Sequence, residues 1–322
     1  MAEDLENGRV IRDAFLALPD RMQLHYGIID PPGIEPLFTL VTIPGLGELV
    51  AKKDFELGAT LAMQRARHIV YDPRGQGKSS RFLDGAGRQR AYVPSFQSYI
   101  DDLQSFFDQI VQRERKGKVI LYGHSTGGLT LLSWLAQRPP KNIVAAIVSS
   151  PVLGLRIPPQ RLFGSAKAAV PTPLALAIAG GFVARGSGKE YAWGEHDYAP
   201  DFDDHRLTHN RDRFQWLGNY FASHPDETTG GATWTWLYET LRRGAVLRVK
   251  NELRRIACPL LTILGGDDRV VPSERIAAWM QCAPTSEIVT IPGSYHEVMN
   301  EDETYRRQAL AAFIEFIKRH AL

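Results

Sequence analysis

The chain has few of the features that mark specialised classes of protein. It holds only two cysteines in 322 residues, Cys258 and Cys282, which is too few for a disulfide framework and gives no metal-ligand spacing. Its net charge is only +2 and no long run of lysine and arginine occurs, so a nucleic-acid partner is not expected. Hydrophobic residues make up 44% and charged residues 23%, the balance of a soluble globular protein. The low cysteine content favours a reducing, intracellular compartment.

Long apolar segments are also missing. The first twenty residues, MAEDLENGRVIRDAFLALPD, are acidic and lack a basic region followed by an apolar core, so no signal peptide is expected there. The most apolar stretch, residues 168–184, is interrupted by two prolines and two glycines and is too short to span a membrane. These features predict a cytoplasmic protein. Any contact with a membrane surface is expected to be transient and to be made by this apolar stretch.

Short apolar runs alternate with longer helical patterns along most of the chain. The later runs are apolar at nearly every position, as strands are when both faces of a parallel sheet are covered. This alternation predicts an α/β protein with a doubly wound, mostly parallel sheet. The expected strands are 22–30, 37–45, 67–75, 118–123, 143–150, 259–266 and 286–293, and the expected helices are 94–115, 126–138, 273–282 and 303–319.

The alternation stops between residues 151 and 250. Prolines, glycines and aromatic residues are concentrated there, and residues 182–238 hold 12 of the 31 aromatic residues of the chain. Because the α/β pattern resumes at Pro259, we expect one core, residues 1–150 and 251–322, with an inserted, mainly helical cap at 151–250.

A serine between two glycines joins an expected strand to an expected helix. The segment KVILYGHSTGGLT, residues 118–130, contains the G-x-S-x-G pattern around Ser125. In this strand–turn–helix context the pattern is typical of a nucleophile elbow, a tight turn that exposes the serine hydroxyl at the sheet edge. We therefore expect Ser125 to be a nucleophile.

A serine nucleophile needs a general base and an acid that orients it, in the chain order Ser, Asp or Glu, His. Asp267 and Asp268 both follow the strand at 259–266, and His296 follows the next strand. All of these positions lie at the carboxyl ends of expected parallel strands, where α/β sheets bind their ligands. The pattern predicts His296 as the base and one of the two aspartates as the acid.

An oxyanion formed by attack of the serine requires two preorganised N–H donors. One is expected to be the backbone N–H of Thr126, directly after the nucleophile. The other is expected from the loop PGLGE at 44–48, where Leu46 lies between two glycines. The flanking glycines allow the backbone to approach a ligand closely.

These motifs together resemble the α/β-hydrolases and, among them, the monoglyceride lipases and bacterial lysophospholipases. The resemblance extends from about residue 20 through most of the chain. Two positions depart from the family pattern: Pro44-Gly45 replaces the usual His-Gly, and Thr126 replaces a frequent methionine. The segments that carry the resemblance are DPRGQGKSSR at 72–81, SYIDDLQSFFD at 98–108, GHSTGG at 123–128, LTHNRDRFQWL at 207–217, GGDDRVVP at 265–272 and GSYHEVMNE at 293–301.

The resemblance implies a serine hydrolase that cleaves lipid-type carboxylic esters, lysophospholipids or monoacylglycerols, through an acyl-enzyme. It implies Ser125 as nucleophile, Asp268 as acid, because the family acid directly precedes an x-V-V turn, and His296 as base. It also implies that Leu46 and Thr126 supply the oxyanion donors. No metal or organic cofactor is expected, and the substrate is a small-molecule lipid ester.

Other interpretations remain open from the sequence. A short-acyl carboxylesterase, a proline iminopeptidase and an acyltransferase would use the same acyl-enzyme, and the fold also occurs in non-catalytic ligand-binding proteins. His205 and His209 have helical metal-ligand spacing but no third ligand. The acidic and aromatic run at 189–204 fits either a solvated cap loop or a site for a quaternary ammonium group.

Overall fold

The computed structural model of the protein describes residues 2–4, 10–138, 142–157, 172–203, 205–249 and 251–322. Within these ranges nine strands form one sheet in the order β1-β2-β3-β5-β4-β6-β7-β8-β9. The pairs from β1 to β3 and the pair β3–β5 are antiparallel, and all pairs from β5 to β9 are parallel. The strands are β1 Ala2–Asp4, β2 Val10–Ala17, β3 Gln23–Ile29, β4 Phe38–Ile43, β5 Ala66–Tyr71, β6 Lys118–His124, β7 Ala145–Ser149, β8 Leu260–Gly265 and β9 Ser286–Ile291.

Helices cover both faces of this sheet. Leu57 of α1 and Phe313 of α9 pack with the side chains on one face, and Leu103 of α2 and Leu132 of α4 pack with those on the other. The helices are α1 Val50–Met63, α2 Gln97–Phe106, α3 Gln112–Glu114, α4 Thr126–Gln137, α5 Thr172–Ala184, α6 Arg211–Ser223, α7 Trp234–Val249, α8 Ser273–Met280 and α9 Glu303–Ala321. A π-helical turn, Phe107–Val111, joins α2 to α3.

The predicted mostly parallel, doubly wound sheet is confirmed. Strands β4 to β8 are buried along almost their whole length, which explains why their sequences are apolar without alternation. Among the described residues of the core, β1, β2 and the helix α1 lie outside the expected strands and helices. Helix α1 buries Lys52, Lys53 and Glu56, so it lacks the apolar face and charged face by which an amphipathic helix is recognised.

The inserted, mainly helical cap is also present, between β7 and β8. It includes α5, α6 and α7, and aromatic residues form much of its interior. Phe182 on α5 stacks on Trp234 of α7 with ring centroids 3.9 Å apart, and Trp193 packs edge-on against both rings. The apolar stretch 168–184 becomes α5 from Thr172 onward, and its first residues lie outside the described ranges. The boundaries at 150 and 251 stay a prediction.

Candidate active site

Ser125 lies at the turn between β6 and α4 with backbone angles φ 53° and ψ −117°. This positive φ is unfavourable for a residue with a side chain and persists only where the surroundings impose it. The neighbouring glycines allow the close packing of strand and helix around this turn. A Cβ on Gly127 would lie 2.0 Å from the carbonyl oxygen of Ile43, and one on Gly123 would lie 2.8 Å from the carbonyl oxygen of Gly127. The glycines of the motif are therefore required by the approach of strand and helix.

His296 and Asp268 complete a hydrogen-bonded chain that starts at Ser125. The Ser125 hydroxyl lies 2.9 Å from Nε2 of His296, and Nδ1 of His296 lies 2.8 Å from Oδ2 of Asp268. The other oxygen of Asp268 accepts the backbone N–H groups of Val270 and Val271, at 2.7 and 2.9 Å. All three side chains are buried. The geometry matches that of a nucleophile, a base and an orienting acid.

The surroundings shift the pKa values of this pair in opposite directions. Burial alone would raise the pKa of Asp268, but the charge of His296 and the hydrogen bonds from His296, Val270 and Val271 together bring it below the usual aspartate value. Burial alone would lower the pKa of His296, but the charge and hydrogen bond of Asp268 raise it above 6.5. Asp268 is thus held as a carboxylate and stabilises a proton on the imidazole.

Asp267 has a different environment from its neighbour. Its side chain is exposed, and its backbone N–H donates to the carbonyl of Ser294 at 2.9 Å. Only Asp268 of the two contacts His296. The sequence left open which of Asp267 and Asp268 lies next to the histidine. In the structure it is Asp268.

The two expected oxyanion donors line the same cavity as Ser125. Thr126 begins α4, where the first N–H groups of a helix have no intrahelical acceptor. Leu46 lies in the loop after β4, and a Cβ on Gly45 would come within 3.1 Å of Cβ of Ser125, so this loop passes closely over the serine. Within the described part of the chain, neither the Leu46 N–H nor the Thr126 N–H donates a hydrogen bond to another protein group.

A second buried histidine, His124, lies directly before the serine, and no motif predicted it. Its ring centroid is 5.0 Å from that of His296, and its Nδ1 lies 2.9 Å from the hydroxyl of Ser149. Burial lowers the pKa of His124 to about 3, because the nearby charge of Glu48 offsets the cost of desolvation only in part. His124 therefore stays neutral next to the catalytic candidate.

A cluster of buried charges adjoins the site and was also missed by the sequence interpretation. Lys52 lies 2.6 Å from Glu297, 3.1 Å from Glu48 and 3.3 Å from Glu56, while Lys53 lies 2.6 Å from Glu48 and 2.7 Å from Glu56. These five side chains are almost completely buried. Buried charges are tolerated only when they are paired in this way. Glu297 directly follows His296, so the cluster connects the oxyanion loop to the histidine loop.

A cavity of about 720 Å³ opens onto Ser125 and His296. The core supplies one part of its lining and the cap supplies the rest, mostly with apolar and aromatic side chains. The cap residues of this kind include Ala175, Ile178, Trp193, Phe214, Leu217, Trp234, Trp236 and Leu237. The charged side chains of the lining include Glu48, Lys52 and Glu297 from the core, and Arg156, Glu195, Asp197, Asp201 and Arg206 from the cap.

The cap segment LTHN, residues 207–210, attaches the cap to the histidine loop. The carbonyl of Leu207 accepts the N–H of Glu297 at 2.9 Å, and Nδ1 of His209 lies 2.8 Å from Oε1 of Glu301. Glu301 also accepts the N–H of Tyr295 at 2.7 Å. His205 packs against aromatic rings, with both ring nitrogens at backbone carbonyls. The metal-ligand alternative for His205 and His209 has no third ligand among the described residues.

This architecture defines the protein's class. A mostly parallel sheet with an inserted helical cap, and a serine, histidine and aspartate in hydrogen-bonded order at its strand ends, are the features of an α/β-hydrolase. More narrowly, the chain belongs to the serine aminopeptidase S33 family, whose profile matches residues 35–303. The predicted membership of the α/β-hydrolases is confirmed.

Individual relatives add detail. Lysophospholipase L2 of Escherichia coli K12 is 30% identical over 262 residues, which are 78% of this chain and 72% of the relative. A monoglyceride lipase from Saccharomyces cerevisiae has the same fold, with a TM-score of 0.71, 18% identity, and coverage of 95% of this chain and 94% of the lipase. A carboxyl esterase from Bacillus coagulans gives a TM-score of 0.73 at 14% identity, with 97% and 99% covered. In the described part of the chain, none of the helices is both long and apolar enough to cross a membrane.

Proposed function

We propose that the protein is a serine hydrolase that cleaves lipid monoesters, lysophospholipids or monoacylglycerols, through an acyl-enzyme on Ser125. The observation that carries this proposal is the hydrogen-bonded chain Ser125–His296–Asp268, whose serine and histidine line a large cavity with many apolar and aromatic side chains. The similarity to lysophospholipase L2 and to monoglyceride lipase supports the same substrate class.

The chemistry follows from the positions of the three side chains. The Ser125 oxygen attacks the ester carbonyl carbon while its proton moves to Nε2 of His296, and Asp268 stabilises the resulting imidazolium. The N–H groups of Leu46 and Thr126 bind the oxyanion of the tetrahedral intermediate. The bond to the alcohol then breaks, and His296 donates its proton to the departing oxygen. Water attacks the acyl-enzyme by the same route, which releases the fatty acid and restores the serine.

The cavity supports a medium or long acyl chain over an acetyl group. Its volume of about 720 Å³ lies within the range of about 300–1,000 Å³ typical of sites for drug-sized ligands. Apolar and aromatic cap side chains line much of it, and each buried methylene contributes about 0.8 kcal/mol to binding. The acyl group of a short-chain ester, or the proline residue of an iminopeptidase substrate, would leave most of this apolar surface without contact.

Replacement of the serine tests the reaction class. Ser125→Ala should fold normally and lose both ester hydrolysis and labelling by a fluorophosphonate, because it lacks the nucleophile. Ser105→Ala is the matched control, since the Ser105 hydroxyl donates only to the Asp101 carbonyl on α2, at 3.0 Å. Retained labelling of Ser125→Ala would falsify the assignment, and an unlabelled wild type would favour a ligand-binding protein.

A substrate panel tests the lipid class. The value of kcat/KM should rise from acetate to dodecanoate esters, and monoacylglycerols or lysophospholipids should be better substrates than proline amides. A flat chain-length profile would favour the short-acyl esterase, and preferred cleavage of proline amides would favour the peptidase. Comparison of lysophosphatidylcholine with monoacylglycerol tests whether the cavity, with Glu195, Asp197 and Asp201 in its lining, favours a substrate with a quaternary ammonium head group.

Transient contact of the cap with a membrane surface from the cytoplasmic side belongs to the same proposal. It is supported by the apolar composition of α5 and by Leu174, whose side chain is 44% exposed. Co-sedimentation with phospholipid vesicles measures this contact. Leu174→Asp should reduce it, and equal binding of the variant and the wild type contradicts a contact through α5.

A further inference from the structure

The oxyanion loop leaves one backbone donor without a protein acceptor. The Gly45 N–H donates to Oε2 of Glu48 at 2.5 Å, and the Gly47 N–H donates to Oε1 of Gln76 at 2.5 Å. The Glu48 N–H donates to the Gly45 carbonyl at 3.4 Å. Among these four consecutive residues, and within the described part of the chain, only the Leu46 N–H has no acceptor. Two side chains therefore fix the amides on either side of the expected oxyanion donor.

Glu48 is itself held firmly. Its side chain is buried, and its Oε1 lies 2.6 Å from Nζ of Lys53 and 3.1 Å from Nζ of Lys52. Burial alone would raise the pKa of Glu48, but the two ammonium charges bring it well below the usual glutamate value. The carboxylate is thus ionised, and an ionised acceptor makes a shorter and stronger hydrogen bond to an N–H group than a neutral one.

Gln76 is fixed by the turn that carries it. The turn follows β5, and the Gln76 N–H donates to the Pro73 carbonyl at 3.0 Å while the Gln76 carbonyl accepts the Ser79 N–H at 3.1 Å. The side chain is 3% exposed. Gly47 has φ +72°, a conformation that glycine adopts without strain, so the peptide can turn its N–H toward this amide oxygen.

We propose that Glu48 and Gln76 are positioning residues that orient the Leu46 N–H as the second oxyanion donor. The inference rests on the proposed acyl-enzyme function, because it assigns a task to the same site. Loss of either contact allows the loop to tilt, which weakens stabilisation of the tetrahedral intermediate while the hydrogen bonds among Ser125, His296 and Asp268 remain. Removal of one oxyanion donor typically lowers kcat by about 10²–10³, and a shift of about 1 Å can cost about 10².

Gln76→Met is the sharpest test, because methionine has similar length and no strong acceptor for the Gly47 N–H. We expect kcat to fall about ten- to hundredfold with KM nearly unchanged. The matched control is Gln104→Met on α2, a residue outside the cavity lining. In the wild type, Oε1 of Gln104 accepts the indole N–H of Trp134 at 2.8 Å, and the control removes this acceptor. The control should keep wild-type kcat.

Two further readouts separate positioning from a general structural role. A trifluoromethyl ketone, which forms a tetrahedral adduct with the serine, should bind Gln76→Met more weakly by the same factor as kcat/KM falls. The corresponding alcohol, which forms no adduct, should bind equally to both proteins. The acid limb of the pH–rate profile should not move, because the environment of His296 is unchanged.

Glu48 supplies an independent series. Glu48→Gln retains an acceptor for the Gly45 N–H and should keep more activity and more ketone affinity than Glu48→Leu, measured on folded protein. The inference is overturned if Gln76→Met keeps wild-type kcat and ketone affinity, or if the alcohol loses affinity as much as the ketone. Either result leaves the proposed function standing, because that function depends on the Ser125→Ala result.

Discussion

Two buried histidines in this protein have similar partners at one ring nitrogen. His296 and His25 are each 3% exposed. Nδ1 of His296 lies 2.8 Å from Asp268, and Nδ1 of His25 lies 2.8 Å from Asp72. In both cases a buried aspartate orients the ring. An aspartate–histidine pair alone therefore does not distinguish a catalytic site from a structural one.

The difference lies at Nε2. For His296 this atom faces the neutral hydroxyl of Ser125 at 2.9 Å, and for His25 it faces a second carboxylate, Asp13, at 3.2 Å. Burial lowers the pKa of His25, but its two aspartates raise it by more, to about 9. At neutral pH His25 is a cation with no capacity to accept a proton. The partner at Nε2 decides the role of the ring: a hydroxyl permits general-base chemistry, and a carboxylate makes a structural ion cluster.

The largest expected effect comes from neutralising the aspartate beside His296. Asp268→Asn should lower kcat by about 10⁴, because the amide N–H stabilises the wrong imidazole tautomer for accepting the serine proton. Its oxygen can still accept from Val270 and Val271, so the fold should survive. The matched control is Asp267→Asn, which changes an exposed side chain and should cost less than about tenfold. Steady-state kinetics on variants checked by circular dichroism measure both, and reversed effects would identify Asp267 as the acid.

The next effect concerns stability at the His25 cluster. The folded pKa of about 9 lies above the unfolded value of 6.5, so the stabilisation is fully present below about pH 6.5 and is lost as pH rises through 9. A difference of this size corresponds to about 3 kcal/mol in the free energy of unfolding. Urea unfolding at pH 6 and pH 10 measures it against His25→Gln, which cannot titrate. A stability difference between the two proteins that is independent of pH contradicts a charged His25.

A smaller effect than the change in stability is expected in the pH dependence of kcat/KM. His296 must be neutral to accept the serine proton, and its pKa is raised above 6.5 by the charge and hydrogen bond of Asp268. The value of kcat/KM should therefore fall as pH falls through a midpoint above 6.5. In Asp268→Asn the residual activity should have its midpoint at lower pH, because the stabilising carboxylate is gone. An unchanged midpoint would mean that another group controls the acid limb.

The sheet and the central trio were predictable because their signals are local. Strands buried on both faces are apolar throughout, and the glycines around Ser125 are dictated by contacts that a Cβ cannot make. The roles of Leu46 and Thr126 as donors, and the boundaries of the cap, stay predictions. The resemblance, through its x-V-V turn, selected Asp268 over Asp267, and in the structure the side chain of Asp268 accepts the N–H groups of the two valines of that turn.

The remainder depends on contacts between distant residues. Helix α1 was missed because Lys52 and Lys53 point inward, and periodicity analysis counts lysine as solvent-facing. Glu297, a partner of Lys52, is 245 positions from it in the sequence, so no window of sequence could reveal the pair. His25 and Asp72 are likewise 47 positions apart. Buried polar clusters of this kind are recognised only when the fold brings their members together.

The smallest expected effect tests the comparison at Nε2 itself. The causes that shift the pKa of His296 are burial and the carboxylates of Asp268, Glu297 and Glu48, and a serine hydroxyl carries no charge. Ser125→Ala should therefore leave the pKa of His296 almost unchanged, since a neutral partner favours neither state strongly.

Asp13→Asn is the matching change at the other histidine. It removes one of the two charges that hold the proton on His25, so the pKa of His25 should fall by about one unit or more. Titration of the imidazole ¹⁵N resonances in the two variants measures both shifts on folded protein. A shift at His296 as large as that at His25 would show that the hydroxyl is an essential part of the histidine's electrostatic environment. The two sites would then differ in their chemistry for a reason other than the charge at Nε2.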